Sequence, residues 1–362
     1  MINSERLVQT FLDLVVIDSP SGQEEAISRE LARRCAALGA QVERDEHWNV
    51  IARWRATNGA TDAVLLSAHM DTVGQDTGIK PQIRDGVIYS DGTTILGGDD
   101  KSGVAAILEV VASLREDGRP HPPLEAVISV SEEVGLRGAR LLDKGRLTAR
   151  RGYVLDAGGP IGGIVTSAPS QDSLEAWVHG RKAHAGAEPE KGINAIRVAA
   201  EAVLAMPLGR IDFETTANIG IIQGGEATNI VPDKVYLKGE ARSRDDLKLA
   251  AQTAAMTAAL EGAAERNDAH VELKVKRMYT TYKLAEDHPV VATAVAAARR
   301  LGYTPTIKAS GGGTDANIYA EHGIYCAILS TGMAAVHTAN EHIAIADMVA
   351  SARLLEEIVA NC

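Results

Sequence analysis

Four apolar runs, at 63–68, 124–130, 152–155 and 325–329, alternate with stretches of helical spacing, and each runs into or just ahead of an acidic or histidine-bearing motif. Uninterrupted apolar runs of this length read as strands buried on both faces, as in a sheet with helices packed over it. Three of the motifs follow their strand directly: His69-Met70-Asp71, Glu132-Glu133 after Ser131, and Asp156-Ala157-Gly158. His337 lies a short loop beyond the fourth run, and Asp99-Asp100 stands between Gly97-Gly98 and Lys101-Ser102-Gly103 at the entry to a helix. Ligands in an open α/β sheet sit outside the carboxyl ends of the strands, so these side chains are expected at one edge of one sheet.

The alternation predicts an α/β fold in which a mixed-sheet catalytic domain carries helices on both faces. Residues 21–38 open with Ser21 and Gly22 and stop at Gly39, which marks a helix at both ends, and 103–114 places Val104, Ile107, Leu108, Val111 and Leu114 on one stripe. From Leu174 to about Tyr279 the texture changes to strand 174–180, helix 191–205, strands 218–223 and 234–242, helix 245–265 and strand 270–278. This βαββαβ order is the ferredoxin-like plan, complete as a small domain. The expected division is a discontinuous catalytic domain over 1–172 and 284–362 with an inserted domain over 173–283.

A net charge of −11 and a pI near 5.4 exclude a surface built to track phosphate backbones, so no nucleic-acid partner is expected. No run of about 18 apolar residues is present to span a membrane. Residues 1–17 have helical spacing without a basic start or cleavage site, and Cys35, Cys326 and Cys362 form neither a disulfide framework nor a thiolate metal site. A cytoplasmic setting is the simplest expectation.

Each motif alone is ordinary. A strand-end His or Asp is usually a turn former, Asp at a helix entry is usually a cap, and a Glu pair is usually a solvated helix start. Together they describe a metal centre. A carboxylate such as Asp99 has two oxygens and can bridge two cations about 3.5–4 Å apart. Adjacent Glu132 and Glu133 beside a buried strand repel each other unless a cation compensates, and a turn there lets one bind metal while the other handles a proton. Asp71, two residues past His69, can hold the second ring nitrogen of that imidazole. Asp99, Glu133 and Asp156 with one hydroxide balance two divalent cations, and imidazoles with carboxylates and no thiolate suit zinc, with manganese or cobalt as alternatives.

With these motifs in this order, the chain resembles the co-catalytic di-zinc peptidases that include peptidase T, carboxypeptidase G and aminoacylase, and is most similar to the peptidase T-like members. The resemblance spans essentially all 362 residues. It implies one metal held by His69, Asp99 and Asp156, a second held by Asp99, Glu133 and His337, Asp71 behind His69, and Glu132 as general base. It also implies a cis peptide between Asp99 and Asp100, a lid formed by the inserted domain, and a homodimer through that lid. His184, in Gly180-Arg181-Lys182-Ala183-His184, is similar to a lid histidine that stabilises the oxyanion in the partner subunit. Arg242, with Arg244 as competitor, is similar to the arginine that grips a substrate carboxylate. Asn229 and Gly312 resemble substrate-contacting loops. The activity implied is amide hydrolysis of short peptides by a tripeptide aminopeptidase, with N-acyl amino acids or carboxy-terminal residues as the alternative substrates within the family.

Overall fold

The computed structural model describes residues 1–57 and 59–362, which divide into two compact units. The first comprises Met1–Ser167, Lys283–Ser310 and Thr314–Cys362, and the second Ala168–Tyr282 with Gly311–Gly313. The first is organised by a nine-stranded mixed sheet among the described residues. At its centre Leu124–Ser129, Val64–His69, Arg151–Ala157 and Tyr325–Ser330 lie side by side, all parallel. Val50–Trp54 joins Leu124–Ser129 antiparallel, Gln41–Arg44 continues from it, and Gly163–Ala168 flanks the other side.

Every residue of Val64–His69 and Leu124–Ser129 is buried, which requires cover on both faces, and their mainly apolar side chains provide the matching surface. The helix Gly98–Glu116 packs on Val64–His69 and against helices Ser4–Val15 and Ile345–Val359. It buries Val104, Ile107, Val110, Val111 and Leu114, each worth about 1.5–3 kcal/mol. Gly103 permits the closest approach: a Cβ there would lie 2.5 Å from Leu155 O and from Asp100 Oδ1.

Parallel alignment decides where the chemistry gathers. His69 is in register with Ser129, and Ser330 with Ala157, so the loops carrying Glu132, Glu133 and His337 leave from the same edge that holds His69 and Asp156.

The second unit is an antiparallel sheet ordered Gly209–Arg210, Thr215–Gly224, Lys234–Ser243, Ser170–His179, His270–Tyr279. Ser170–His179 alternates buried and half-buried residues, the signature of one covered face. Leu174, Ala176, Val178, Val235 and Leu237 meet Val198 of helix Ala195–Ala205 and Leu249, Met256 and Leu260 of helix Asp246–Arg266 in one core. Leaving aside the two-residue edge strand, the elements run βαββαβ, the ferredoxin-like plan.

Some expectations shift. The helix marked from Ser21 begins at Glu25, because the Ser21 hydroxyl donates to Asp71 instead of capping. The second unit starts ahead of residue 173, because burial already alternates from Ser170. It also takes in Gly311–Gly313, where a Cβ on Gly313 would strike the Tyr279 ring at 2.4 Å. A three-stranded sheet of Gln82–Arg84, Val87–Tyr89 and His342–Ala344 was not foreseen, since strands this short carry no periodicity.

Candidate metal centre

Donor atoms of His69, Asp99 and Asp156 lie within 4.8 Å of one another, as do those of Asp99, Glu133 and His337. Asp99 is common to both groups. Its Oδ1 is 3.1 Å from His69 Nε2 and its Oδ2 is 3.3 Å from His337 Nε2. Asp156 Oδ1 is 4.0 Å from His69 Nε2, and Glu133 Oε1 is 2.9 Å from His337 Nε2.

Local chain geometry aims these groups. Gly97 takes a left-handed turn (φ 74°) and Asp99 and Asp100 are non-helical, so the regular helix begins only after the carboxylate common to both groups; the peptide between Asp99 and Asp100 is cis. Ser131 is also left-handed (φ 52°), which turns the chain directly after its strand. Its N–H and hydroxyl both donate to Glu24 Oε1, at 2.9 and 2.7 Å.

Asp71 is wholly buried and joins three parts of the centre. Oδ1 accepts the Glu132 N–H at 2.9 Å and lies 3.3 Å from His69 Nδ1, while Oδ2 accepts the Ser21 hydroxyl at 2.7 Å and the Glu133 N–H at 3.3 Å. Burial acts to raise its pKa, but the bond to His69 and the other donors outweigh this and hold it below the ordinary value. It therefore stays ionised behind the imidazole and holds the backbone of both glutamates through their N–H groups.

The electrostatics test whether cations fit. Burial and then the neighbouring Asp99 push the Asp156 carboxyl well above its ordinary range, and burial followed by Asp156 does the same to Glu132. The nearby carboxylates of Asp99 and then Glu133, 3.3 and 2.9 Å from its Nε2, draw His337 up to about 10. Burial presses His69 down, yet its bonds to Asp71 and Asp99 leave it well above its usual value. Buried carboxylates crowded this closely are stabilised only by added positive charge. Glu133 Oε1 makes the same point: it is buried without a hydrogen-bond partner, because the His337 contact lacks hydrogen-bond geometry. Orphaned acceptors and crowded carboxylates with two imidazoles and no thiolate fit a pair of divalent cations. Glu132 is 8 % exposed and its side chain has no hydrogen-bond partner among the described residues, which leaves it available for a proton.

The remaining expected residues lie in the second unit. His184 is exposed, and its Nδ1 accepts the N–H groups of Gly186 and Ala187, both at 3.1 Å, which fixes the proton on Nε2. Asn229 is brought beside it through its carbonyl, which accepts the Ala185 N–H at 3.0 Å. Arg242 binds Glu240 through Nε at 2.8 Å and Nη2 at 3.0 Å, so a ligand carboxylate there would share or displace Glu240. Arg244 donates to the Phe213 carbonyl at 3.0 Å. Gly312 falls with the second unit, while the following Thr314 and Asn317 form a helix capping box.

Sequence reading overlooked four contributors. Ser21 and Glu24 brace Asp71 and Ser131, although both read as the start of a helix. Glu341 accepts three backbone N–H groups around Asp99, and only its place four residues after His337 hinted at it. Asp315, three residues past Gly312, is buried and accepts the Ser129 hydroxyl.

Known proteins share this fold. A tripeptidase from Staphylococcus aureus subsp. aureus Mu50 superposes with a TM-score of 0.94 at 41 % identity, covering 100 % of this chain and 99 % of that one. The aminopeptidase PepT from Bacillus cereus ATCC 10987 gives 0.88 at 44 % identity over 99 % and 98 %. Peptidase T from Vibrio cholerae serotype O1 is 29 % identical over 381 residues, covering 94 % of this chain and 91 % of that protein. A family model described as Peptidase family M20/M25/M40 matches residues 65–361, and the chain belongs to that family of hydrolytic metallopeptidases.

Proposed function

We propose that this protein is an aminopeptidase for short peptides, tripeptides foremost, working with two zinc ions. The observation that carries this reading is the pair of ligand groups sharing Asp99, with the unpartnered Glu132 beside them on the turn held by Asp71. The similar proteins named as tripeptidase, aminopeptidase PepT and peptidase T support the substrate class.

His69, Asp99 and Asp156 would hold one cation and Asp99, Glu133 and His337 the other. When bound, the cations supply Lewis acidity that lowers the pKa of a water and stabilises charge on a carbonyl oxygen. Glu132 accepts the proton of the attacking water and delivers it to the leaving amine. Asp71 keeps His69 in one orientation and the Glu132 backbone in place. His184, with its Nε2–H free to donate, serves as an oxyanion donor in the partner subunit of a homodimer. Exposed Ile221 and Ile222 on Thr215–Gly224 support a dimer through this second unit, which would act as the lid. Arg242 receives the peptide carboxylate, with Asn229 and Gly312 lining the path.

No helix among the described residues is long and apolar enough to cross a membrane, and Cys35, Cys326 and Cys362 are free thiols, which supports a cytoplasmic setting.

The test is to incubate the zinc-loaded protein with free, N-acetylated and C-amidated di- and tripeptides and identify the products by mass spectrometry. Release of amino-terminal residues from free tripeptides is expected. Cleavage restricted to the acetyl group or the carboxy-terminal residue would replace this reading with an acylase or carboxypeptidase one.

A further inference from the structure

Glu341 lies four residues beyond His337 and next to the short strand His342–Ala344. It is 1 % exposed, yet no cationic side chain pairs with it among the described residues. Its partners are backbone donors. Oε2 accepts the N–H groups of Leu96 at 2.8 Å and Gly97 at 2.9 Å, and Oε1 accepts that of Asp99 at 2.9 Å. Its own N–H donates to the Thr338 carbonyl at 3.0 Å, tying it to the turn that carries His337. That turn is left-handed at His337 (φ 65°), a conformation a non-glycine residue keeps only when its surroundings hold it.

We propose that Glu341 is a positioning residue that fixes the bridging Asp99 relative to the His337 turn, and so sets the cation affinity of the Asp99, Glu133 and His337 group. This rests on the dinuclear reading above. One buried carboxylate connects the segments bearing two of the three ligands in that group. In the other group, His69 and Asp156 belong to sheet strands whose spacing the ladder already determines, so only Asp99 depends on Glu341. Loss of Glu341 therefore weakens the two positions unequally.

The experiment titrates the metal-stripped, full-length protein with cobalt(II) chloride, following visible absorption and heat. Wild type is expected to take up two equivalents. Glu341→Gln keeps the volume but turns an amide N–H toward the backbone donors. It is expected to bind the tighter equivalent within about threefold of wild type and the weaker one roughly 10-fold less tightly or worse, the usual range for residues that orient ligands. Glu109→Gln, which removes another buried carboxylate, one paired with Arg6, controls for general destabilisation and is expected to leave both equivalents unchanged. Should Glu341→Gln fail to fold, Gly98→Ala tests the same contact, since its Cβ would lie 3.1 Å from Glu341 Oε1 and press that oxygen away from the Asp99 N–H. A severalfold loss at the weaker equivalent alone is then expected. Unchanged binding of both equivalents in the folded variant, or equal weakening of both, overturns the positioning role. Uptake of fewer than two equivalents by wild type removes the dinuclear reading and the proposal with it.

Discussion

Two buried acids near the centre lead to opposite expectations. The Glu132 side chain has no hydrogen-bond partner among the described residues, so Glu132→Gln should leave the Asp71 bond to its N–H in place and retain both cations. Its turnover should fall roughly 10²–10⁴-fold, the usual contribution of a positioned general base. Metal analysis beside steady-state kinetics checks this, and near-normal turnover would take Glu132 out of the mechanism. Asp315 is held by the Ser129 hydroxyl alone, and burial pushes its carboxyl from 3.8 up to about 6. Between those values the native state binds more protons than the unfolded chain, so this group's contribution to stability falls as pH rises through the window. Metal-free Asp315→Asn should accordingly be more stable than wild type at pH 7 by roughly 3 kcal/mol and about equal to it near pH 3.5. Melting curves at the two pH values decide it, and an equal offset at both would mean that ionisation of Asp315 is not what costs stability.

At the level of elements, the centre depends on how closely the helix Gly98–Glu116 approaches the strand Arg151–Ala157. Gly103 makes that approach possible, and Gly103→Ala would place a methyl 2.5 Å from both Leu155 O and Asp100 Oδ1. Neither atom can yield cheaply, because one is strand backbone and the other belongs to a carboxylate whose Oδ2 accepts the His69 N–H at 3.2 Å. The variant should lose about 1–3 kcal/mol of stability, the range seen for overpacked cores. It should also bind cations more weakly, because helix and strand present Asp99 and Asp156 respectively. Calorimetry of the stripped and loaded forms separates the two effects, and a stability loss with unchanged cation affinity would show that the strand moves without its ligand.

For the whole molecule, the proposed action of His184 across a dimer makes a distinctive claim about mixtures. His184→Ala and Glu132→Gln homodimers should each be nearly inactive. When the two are unfolded together and refolded, heterodimers containing one intact composite site should regain up to about a quarter of wild-type activity, by random pairing and one working site in each mixed pair. No recovery, in a mixture shown by native mass spectrometry to contain heterodimers, would place His184 outside catalysis in trans.

The alternation of the central strands with helices, the apolar runs and the ferredoxin-like insertion were legible in the sequence, because each rests on a local period that burial on one or two faces imposes. The five candidate ligands were legible as a set for a related reason: strand ends are marked by where the apolar run stops, and parallel strands must end at the same edge. What tertiary structure alone decided is how those side chains are held. Ser21 and Glu24 look like a helix start and instead brace Asp71 and Ser131, while Glu341 reaches back 242 residues to the Asp99 N–H. The strands Gln82–Arg84, Val87–Tyr89 and His342–Ala344 were equally hidden. Such contacts join segments with no common periodicity. Their partners are backbone N–H groups that every sequence carries alike, so only the folded chain shows which buried carboxylate serves which donor.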